Sequence, residues 1–205
     1  MNPQKSNKFL YILLTSSFAI AWIWAAIDPV HPDDWILENI LVVFFVPFVF
    51  WASRYFIFSN TSYTIVTLFL ILHVIGSHYT YAEVPFGVTL GEWIGVERNM
   101  YDRLLHLLFG IVFVYPLFDY LQRKVKLQGF LIYFVSFMTI SAFAGFYEVL
   151  EWVAASVVDP EAGDAFLGTQ GDIWDAQKDM ALAMVGSLFM LTIIAFQNKP
   201  KELLG

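Results

Sequence analysis

The chain contains no cysteine. That absence excludes disulfides, thiolate zinc sites, haem-attachment motifs and cysteine nucleophiles, and it leaves the redox compartment unmarked. Charge is scarce as well: Asp, Glu, Lys and Arg make up 14% of the 205 residues, against about 25% in an ordinary soluble domain. Only 11 residues are Lys or Arg, and they gather in no patch interleaved with aromatics, so nucleic acid is excluded as a partner. Gly87, Gly91 and Gly95 lack the spacing of a phosphate cradle. There is no internal repeat and no linker long enough to divide the chain, so residues 1–205 read as a single integral membrane domain. What fills the sequence is apolar: 59% hydrophobic and 19% aromatic. A soluble fold of this composition could not cover itself with polar surface. Lipid is the solvent it fits.

A membrane-spanning helix needs about 20 mostly apolar residues. Six stretches qualify, at approximately 9–27, 35–58, 62–81, 100–121, 129–157 and 175–197. The expectation is an all-α, polytopic bundle of six spans. Pro47 predicts a kink in the second, and the fifth is long enough to tilt or project. The first apolar run follows Lys5 and Lys8 but lacks a small-residue cleavage site, so it reads as a retained helix rather than a signal peptide.

Basic residues near span ends set orientation. Lys5, Lys8, Arg54, Arg123, Lys124, Lys126, Lys199 and Lys201 all fall on one side of a six-span arrangement. The other side holds Asp28, Asp33, Asp34, Glu83, Glu92, Glu97, Asp159, Glu161 and Asp164, with Arg98 and Arg103 its main cations. Both termini are therefore expected in the cytoplasm. Trp22, Trp24, Trp35, Trp93, Trp152 and Trp174 lie toward the predicted outer ends, where amphipathic rings favour the interface.

Ionisable residues inside spans are costly and mark function by default. His73 and His78 lie in the third span, Asp102 and His106 in the fourth, Glu148 and Glu151 in the fifth, and Asp175, Lys178 and Asp179 in the sixth. At about 1.5 Å per residue, most of them occupy one slab of the outer leaflet, reached by four spans running in alternating directions. Asp102 with His106 and Asp175 with Asp179 are four apart, and Glu148 with Glu151 are three apart, so each pair shares a helix face. His73 and His78, five apart, diverge in direction. Carboxylates and imidazoles on facing bundle helices are how helical proteins hold metals, and a divalent cation relieves their mutual repulsion. The predicted ligand pool is His78, His106, Glu148, Glu151, Asp172, Asp175 and Asp179 for a divalent ion such as Zn, Mn, Fe, Mg or Ca. Asp102 or His106 supplies the general base, and Arg98 or Arg103 clamps an anionic headgroup. This predicts a metal-dependent membrane hydrolase or transferase acting on a lipid or lipid-linked substrate. Two alternatives stay open: a cation or proton transporter using the same acids as a relay, and a non-catalytic buried ion-pair network that fixes helix register. Asp172 also suits a helix N-cap. His73 suits a core histidine bonded to a carbonyl, and His31 a solvated loop residue.

Three motifs carry a resemblance: Arg98-Asn99-x-Tyr101-Asp102-Arg103-x-x-His106, Tyr147-Glu148-x-x-Glu151-Trp152, and Gly168-Thr169-Gln170-Gly171-Asp172-x-Trp174-Asp175-x-x-x-Asp179-Met180. On these, over nearly the whole chain, the sequence resembles the YjdF-type family of bacterial inner-membrane proteins, a domain of unknown function. The resemblance implies a multi-pass protein of the bacterial plasma membrane and supplies no activity.

Overall fold

In the computed structural model, which describes residues 7–158, 163 and 166–198, every regular element is helical. Asn7 caps the first helix, α1 (Lys8–Ala25), its side-chain oxygen accepting from the Leu10 amide at 3.2 Å. Helix α2 (Pro32–Ala52) starts on a proline with Asp33 and Asp34 in its first turn, where a missing amide is harmless and negative charge is favoured. Ser59 caps α3 (Asn60–Tyr79) through the Ser62 amide. A short helix α4 (Pro85–Ile94) follows, stopped by Gly95 in the left-handed region at φ 77°. Then come α5 (Tyr101–Tyr120), α6 (Gly129–Val157) and α7 (Asp175–Gln197). All but α4 are long and apolar enough to cross a bilayer, which makes six spans, as the sequence predicts.

The element ends differ from expectation in two places. The second span, expected at 35–58, starts earlier and stops at Ala52. Beyond it Ser53 donates to the Phe50 carbonyl, Arg123 donates to the Ile57 carbonyl, and the same guanidinium sits 4.4 Å from the Phe56 ring centre. Those contacts hold 56–58 in an extended connection. The glycine-bearing segment between the third and fourth spans folds into α4. One face of that helix lies on the backbone before α5: a Cβ on Gly91 would sit 2.2 Å from the Arg98 carbonyl oxygen. On its other side Phe86, Val88, Trp93 and Ile94 are exposed. Asp159, Glu161, Asp164, Lys5, Lys199 and Lys201 lie outside the described residues.

Helix α5 is the central span, with α7, α6 and α3 against it and α1 packed on the far side of α3. The α5/α7 seam is the tightest. A Cβ on Gly110 would fall 2.0 Å from the Ala183 carbonyl oxygen, and one on Gly186 would fall 2.2 Å from the Leu107 carbonyl oxygen. Small residues that let backbones touch are what drive helix association in lipid, where apolar side chains gain nothing by leaving one apolar medium for another. Counting back along each helix, Gly110 leads to His106 and Asp102 at steps of four, and Ala183 leads to Asp179 and Asp175 in the same way. The close seam therefore presses two polar faces together at one end of the bundle. Toward the opposite end the interior is apolar: Val114, Phe118, Leu121, Ile132, Ile140, Leu191 and Ile194 form one cluster.

Candidate functional site

The acidic end of the bundle encloses a cleft of about 580 Å³. Asp102 enters it from α5, Glu148 and Glu151 from α6, and Asp175 and Asp179 from α7, with Asp172 on its rim. Trp152, Leu167 and Ile173 supply apolar wall. Among the described residues, one candidate metal trio stands out: Asp102, His106 and Asp179 each offer a ligand atom, all within 4.8 Å of one another. His106 Nε2 lies 3.5 Å from Asp102 Oδ1 and 3.6 Å from Glu148 Oε1.

The cations are not spread evenly over these acids. Arg98 donates to Asp175 Oδ1 at 2.6 Å and to the Thr169 carbonyl at 2.5 Å. Arg103 donates to the same Asp175 oxygen at 2.5 Å and to Asp172 Oδ2 at 3.0 Å. Lys178 donates to Asp172 at 2.6 Å. Asp172 also accepts from the Trp174 amide at 3.1 Å. The Lys178 bond first, and that amide second, hold its carboxyl below the usual carboxylate range. Asp172 and Asp175 thus take nearly all the permanent positive charge. Asp179 receives only Arg103 Nε, at 3.3 Å and without hydrogen-bond alignment. Among the described residues, its Oδ1 and Glu148 Oε1 are buried with no hydrogen-bond partner. Six carboxylates line the cleft against three permanent cations.

The loop before α7 is held in place by reciprocal bonds. The Asn99 amide donates to Gln170 Oε1 at 2.9 Å, and Gln170 Nε2 donates back to the Asn99 carbonyl at 3.1 Å. Asn99 itself bridges to the Val84 carbonyl, and its Oδ1 accepts from the Tyr101 amide. This lattice supports Gln170 at φ 50°, a region that side chains other than glycine's enter at a cost.

Of the residues singled out from sequence, Asp102, His106, Glu148, Glu151, Asp175 and Asp179 meet at the cleft. Arg98, Arg103 and Asp172 are also there, engaged in ion pairs rather than facing open space. His78 is not brought to this group. Its Nδ1 lies 3.2 Å from the Ala25 carbonyl oxygen, and its ring packs on Trp24 at 4.4 Å between centres. His73, five residues earlier, points elsewhere: Nε2 lies 3.2 Å from the Glu38 carbonyl and Nδ1 2.5 Å from the Tyr81 hydroxyl. A carbonyl can only accept, so Nε2 carries the proton of a neutral ring, and Nδ1 accepts a hydrogen bond from the Tyr81 hydroxyl. Burial pushes the Tyr81 phenol well above its ordinary range.

One acid was missed. Glu38, 6% exposed, sits on α2 behind the cleft, with the Tyr147 hydroxyl 3.4 Å from its Oε2 and Asp102 and His106 among the charges acting on it. The sequence carried a signal for it: a carboxylate in an otherwise apolar stretch, four residues after Asp34 and at the depth of the other acids.

A family model described as Predicted membrane protein (DUF2238) matches residues 10–200, which includes every residue of the cleft. Inner membrane protein YjdF of Escherichia coli (strain K12) is 34% identical over 187 residues, covering 90% of this chain and 89% of that protein. No solved structure matches.

Proposed function

The chain belongs to the DUF2238 family of predicted membrane proteins, and from that premise we propose that it is a divalent-metal-dependent enzyme of the bacterial plasma membrane, a hydrolase or transferase acting on a lipid or lipid-linked substrate. The observation that carries this is the surplus of acid. Among the described residues, Asp102, Glu148 and Glu151 line the cleft with no Lys or Arg partner, and His106 lies between Asp102 and Glu148. Buried carboxylates without cations repel one another strongly, and a divalent ion is the partner that an oxygen and imidazole donor set selects. Such an ion lowers the pKa of bound water and polarises a phosphoryl or acyl oxygen. Asp102, His106 and Asp179 are its ligands, with Glu148 beside them. Arg98 and Arg103 position Asp175 and the rim.

The membrane address agrees with the Escherichia coli relative, an inner membrane protein. The excess of Lys and Arg at the other end supports a cytoplasmic side for both termini, and with it a cleft that opens to the periplasmic face. The lipid substrate class is supported by the apolar wall and by exposed Trp152, Trp174 and Ile173 beside the cleft, side chains suited to the edge of a bilayer. A transport path is favoured less, because the apolar cluster of Val114, Phe118, Ile140 and Leu191 closes the bundle beyond the acids.

The test uses the purified full chain in detergent, loaded with Mn²⁺ or Zn²⁺ and incubated with a total bacterial lipid extract. Mass spectrometry should show one lipid class consumed by the loaded protein and left intact by Glu148→Gln. Failure to retain either metal, or an unchanged lipid profile with metal bound, removes the enzymatic reading. Because the chain has no cysteine, Ile173→Cys labelled by a membrane-impermeant maleimide on intact spheroplasts tests the orientation without background.

A further inference from the structure

We propose that α4 is a lipid-seated helix: its Phe86, Trp93 and Ile94 side rests in the bilayer surface at the acidic end, and through Arg98 and Asn99 it ties the rim of the cleft to that surface. The occupant is the zwitterionic lipid of that leaflet. The inference does not depend on the proposed metal.

The position of α4 is fixed from both ends. Residues 80–84 alone separate it from α3, and residues 95–100 separate it from α5. Val84, just before it, is 2% exposed, and its carbonyl accepts from Asn99 Nδ2 at 2.9 Å. The Met100 amide donates to the Gly87 carbonyl at 2.9 Å. A Cβ on Gly87 would lie 2.8 Å from the Tyr101 Cβ, so the helix rests on the first residue of a membrane span. A helix anchored there stands at the boundary between lipid and water, whichever side of the membrane that end faces.

With its glycines against the bundle, α4 turns an apolar side outward. Phe86 and Trp93 are seven residues apart and so share a face, and their rings meet edge to face at 6.2 Å between centres. Trp93 is 71% exposed, and Ile94 is exposed beside it. Glu92, also exposed, lies about 100° round the helix from Trp93 and forms a polar margin. A helix apolar along one side and polar at its margin lies in the membrane interface, where Trp is favoured. No Lys or Arg occurs between Tyr81 and Glu97, so nothing there attracts an anionic headgroup. Apolar contact with zwitterionic lipid is what this face fits.

The backbone under α4 also holds the rim. Arg98 donates to the Thr169 and Gly168 carbonyls and to Asp175, and Asn99 exchanges two bonds with Gln170. The loop fastened in this way presents exposed Ile173 and Trp174. Apolar side chains thus stand on both sides of one bonded joint, and a single lipid surface accommodates both.

The experiment reads depth. The full chain has no cysteine, so Phe86→Cys, Trp93→Cys and Glu92→Cys can each carry one spin label in phosphatidylcholine vesicles. Electron paramagnetic resonance measures collisions with oxygen, which concentrates in lipid, and with a water-soluble nickel chelate. The oxygen-to-nickel ratio should be several-fold higher at the two aromatic positions than at Glu92, and adding phosphatidylglycerol should not raise it. Equal nickel access at all three positions puts α4 in water and overturns the proposal. Low access to both probes at the aromatic positions means that a second copy covers the face, and it overturns the proposal too; a ratio that rises with phosphatidylglycerol overturns the zwitterionic assignment. Should a label disturb folding, brominated phosphatidylcholine should quench Trp93→Phe less than the unaltered protein, and equal quenching counts against the seat. The tie to the rim is read from a label at Ile173→Cys: adding Phe86→Ser and Trp93→Ser should narrow its spectrum in vesicles, and an unchanged spectrum overturns the tie.

Discussion

The two ends of this bundle treat buried acid in opposite ways. At the basic end Asp119, 2% exposed, finds its partner one helical turn away: both oxygens accept from Arg123, which also closes onto the Ile57 carbonyl and the Phe56 ring. One acid and one base, four residues apart, complete the account, with Arg123 inside the π-helical turn Leu121–Val125 that continues α5. At the acidic end carboxylates arrive from α2, α5, α6 and α7 and outnumber the cations beside them. A membrane protein that needs a buried acid only as helix glue can satisfy it locally, as Asp119 shows. The deficit at the acidic end is what supports the proposed cation there.

The largest way to break the comparison is to separate the helices that create the acidic end. Gly186→Ala places a methyl 2.2 Å from the Leu107 carbonyl oxygen. Backbone lies on both sides and neither can yield by changing rotamer, so a loss at the upper end of overpacking costs, about 3 kcal/mol or more, is expected. Size-exclusion profile and thermal melting in detergent should show it, together with loss of metal retention. A Gly186→Ala protein that melts and binds Mn²⁺ like the original removes the seam from the account.

Next in size is the arginine at each end. Arg103→Met strips Asp175, Asp172 and Asp179 of a 7%-exposed guanidinium and should cost about 3 kcal/mol, the lower end of the penalty for leaving a buried charge uncompensated. Arg123→Met also orphans a buried acid, but this guanidinium is 28% exposed, so solvent screening reduces the expected loss to about 1–2 kcal/mol. The sharper contrast lies in metal. Removing Arg103 deepens the acid surplus, so Mn²⁺ should raise the melting temperature of Arg103→Met by more than it raises that of the unaltered protein. Removing Arg123 should leave that increment unchanged.

Glu151→Gln reverses the sign. If the acidic end were an ion-pair network, losing an acid would destabilise it. With carboxylates in excess, neutralising Glu151 relieves repulsion and should stabilise the metal-free protein by on the order of 1 kcal/mol, while the stabilisation by Mn²⁺ shrinks. Thermal melts with and without chelator read both. A lower melting temperature of the chelated variant sinks the surplus argument.

Much of this architecture was legible before any coordinates. Hydropathy gave six spans because in lipid each backbone group must bond within its own helix, and the common depth of Asp102, His106, Glu148, Glu151, Asp175 and Asp179 followed from helical rise alone. What was illegible depends on rotation and on partners brought in from elsewhere. His78 lies at the right depth, but five residues turn it well away from His73, and it meets Trp24 and the Ala25 carbonyl. Spacing does not tell which acids the arginines select, so Asp172 and Asp175 read as ligands beside Asp179 although they hold Arg98 and Arg103. Glu38 belongs to a span without another motif. Gly110 and Gly186 bear no chemistry, and their role emerges only when two helices are laid together.

The smallest effect concerns the rim, where the acidic end touches water. Asp172 accepts from Lys178 and from the Trp174 amide and is paired with Arg103. Its pKa is held below the ordinary value, so the ionised form is the one the folded loop favours. The sign follows: the stabilisation is fully present above the unfolded carboxylate value of about 3.9 and disappears as pH falls through the lower folded value. Asp172→Asn should therefore melt slightly below the unaltered protein at pH 7 and at pH 5, and the two should converge under stronger acid. Melting of both proteins across that range, in chelator so that metal loss does not contribute, isolates the rim from the cleft. A gap that persists at the acid limit would mean that Asp172 holds the loop by its shape, with Asn an inadequate substitute, and that its charge contributes nothing to closing this end of the bundle.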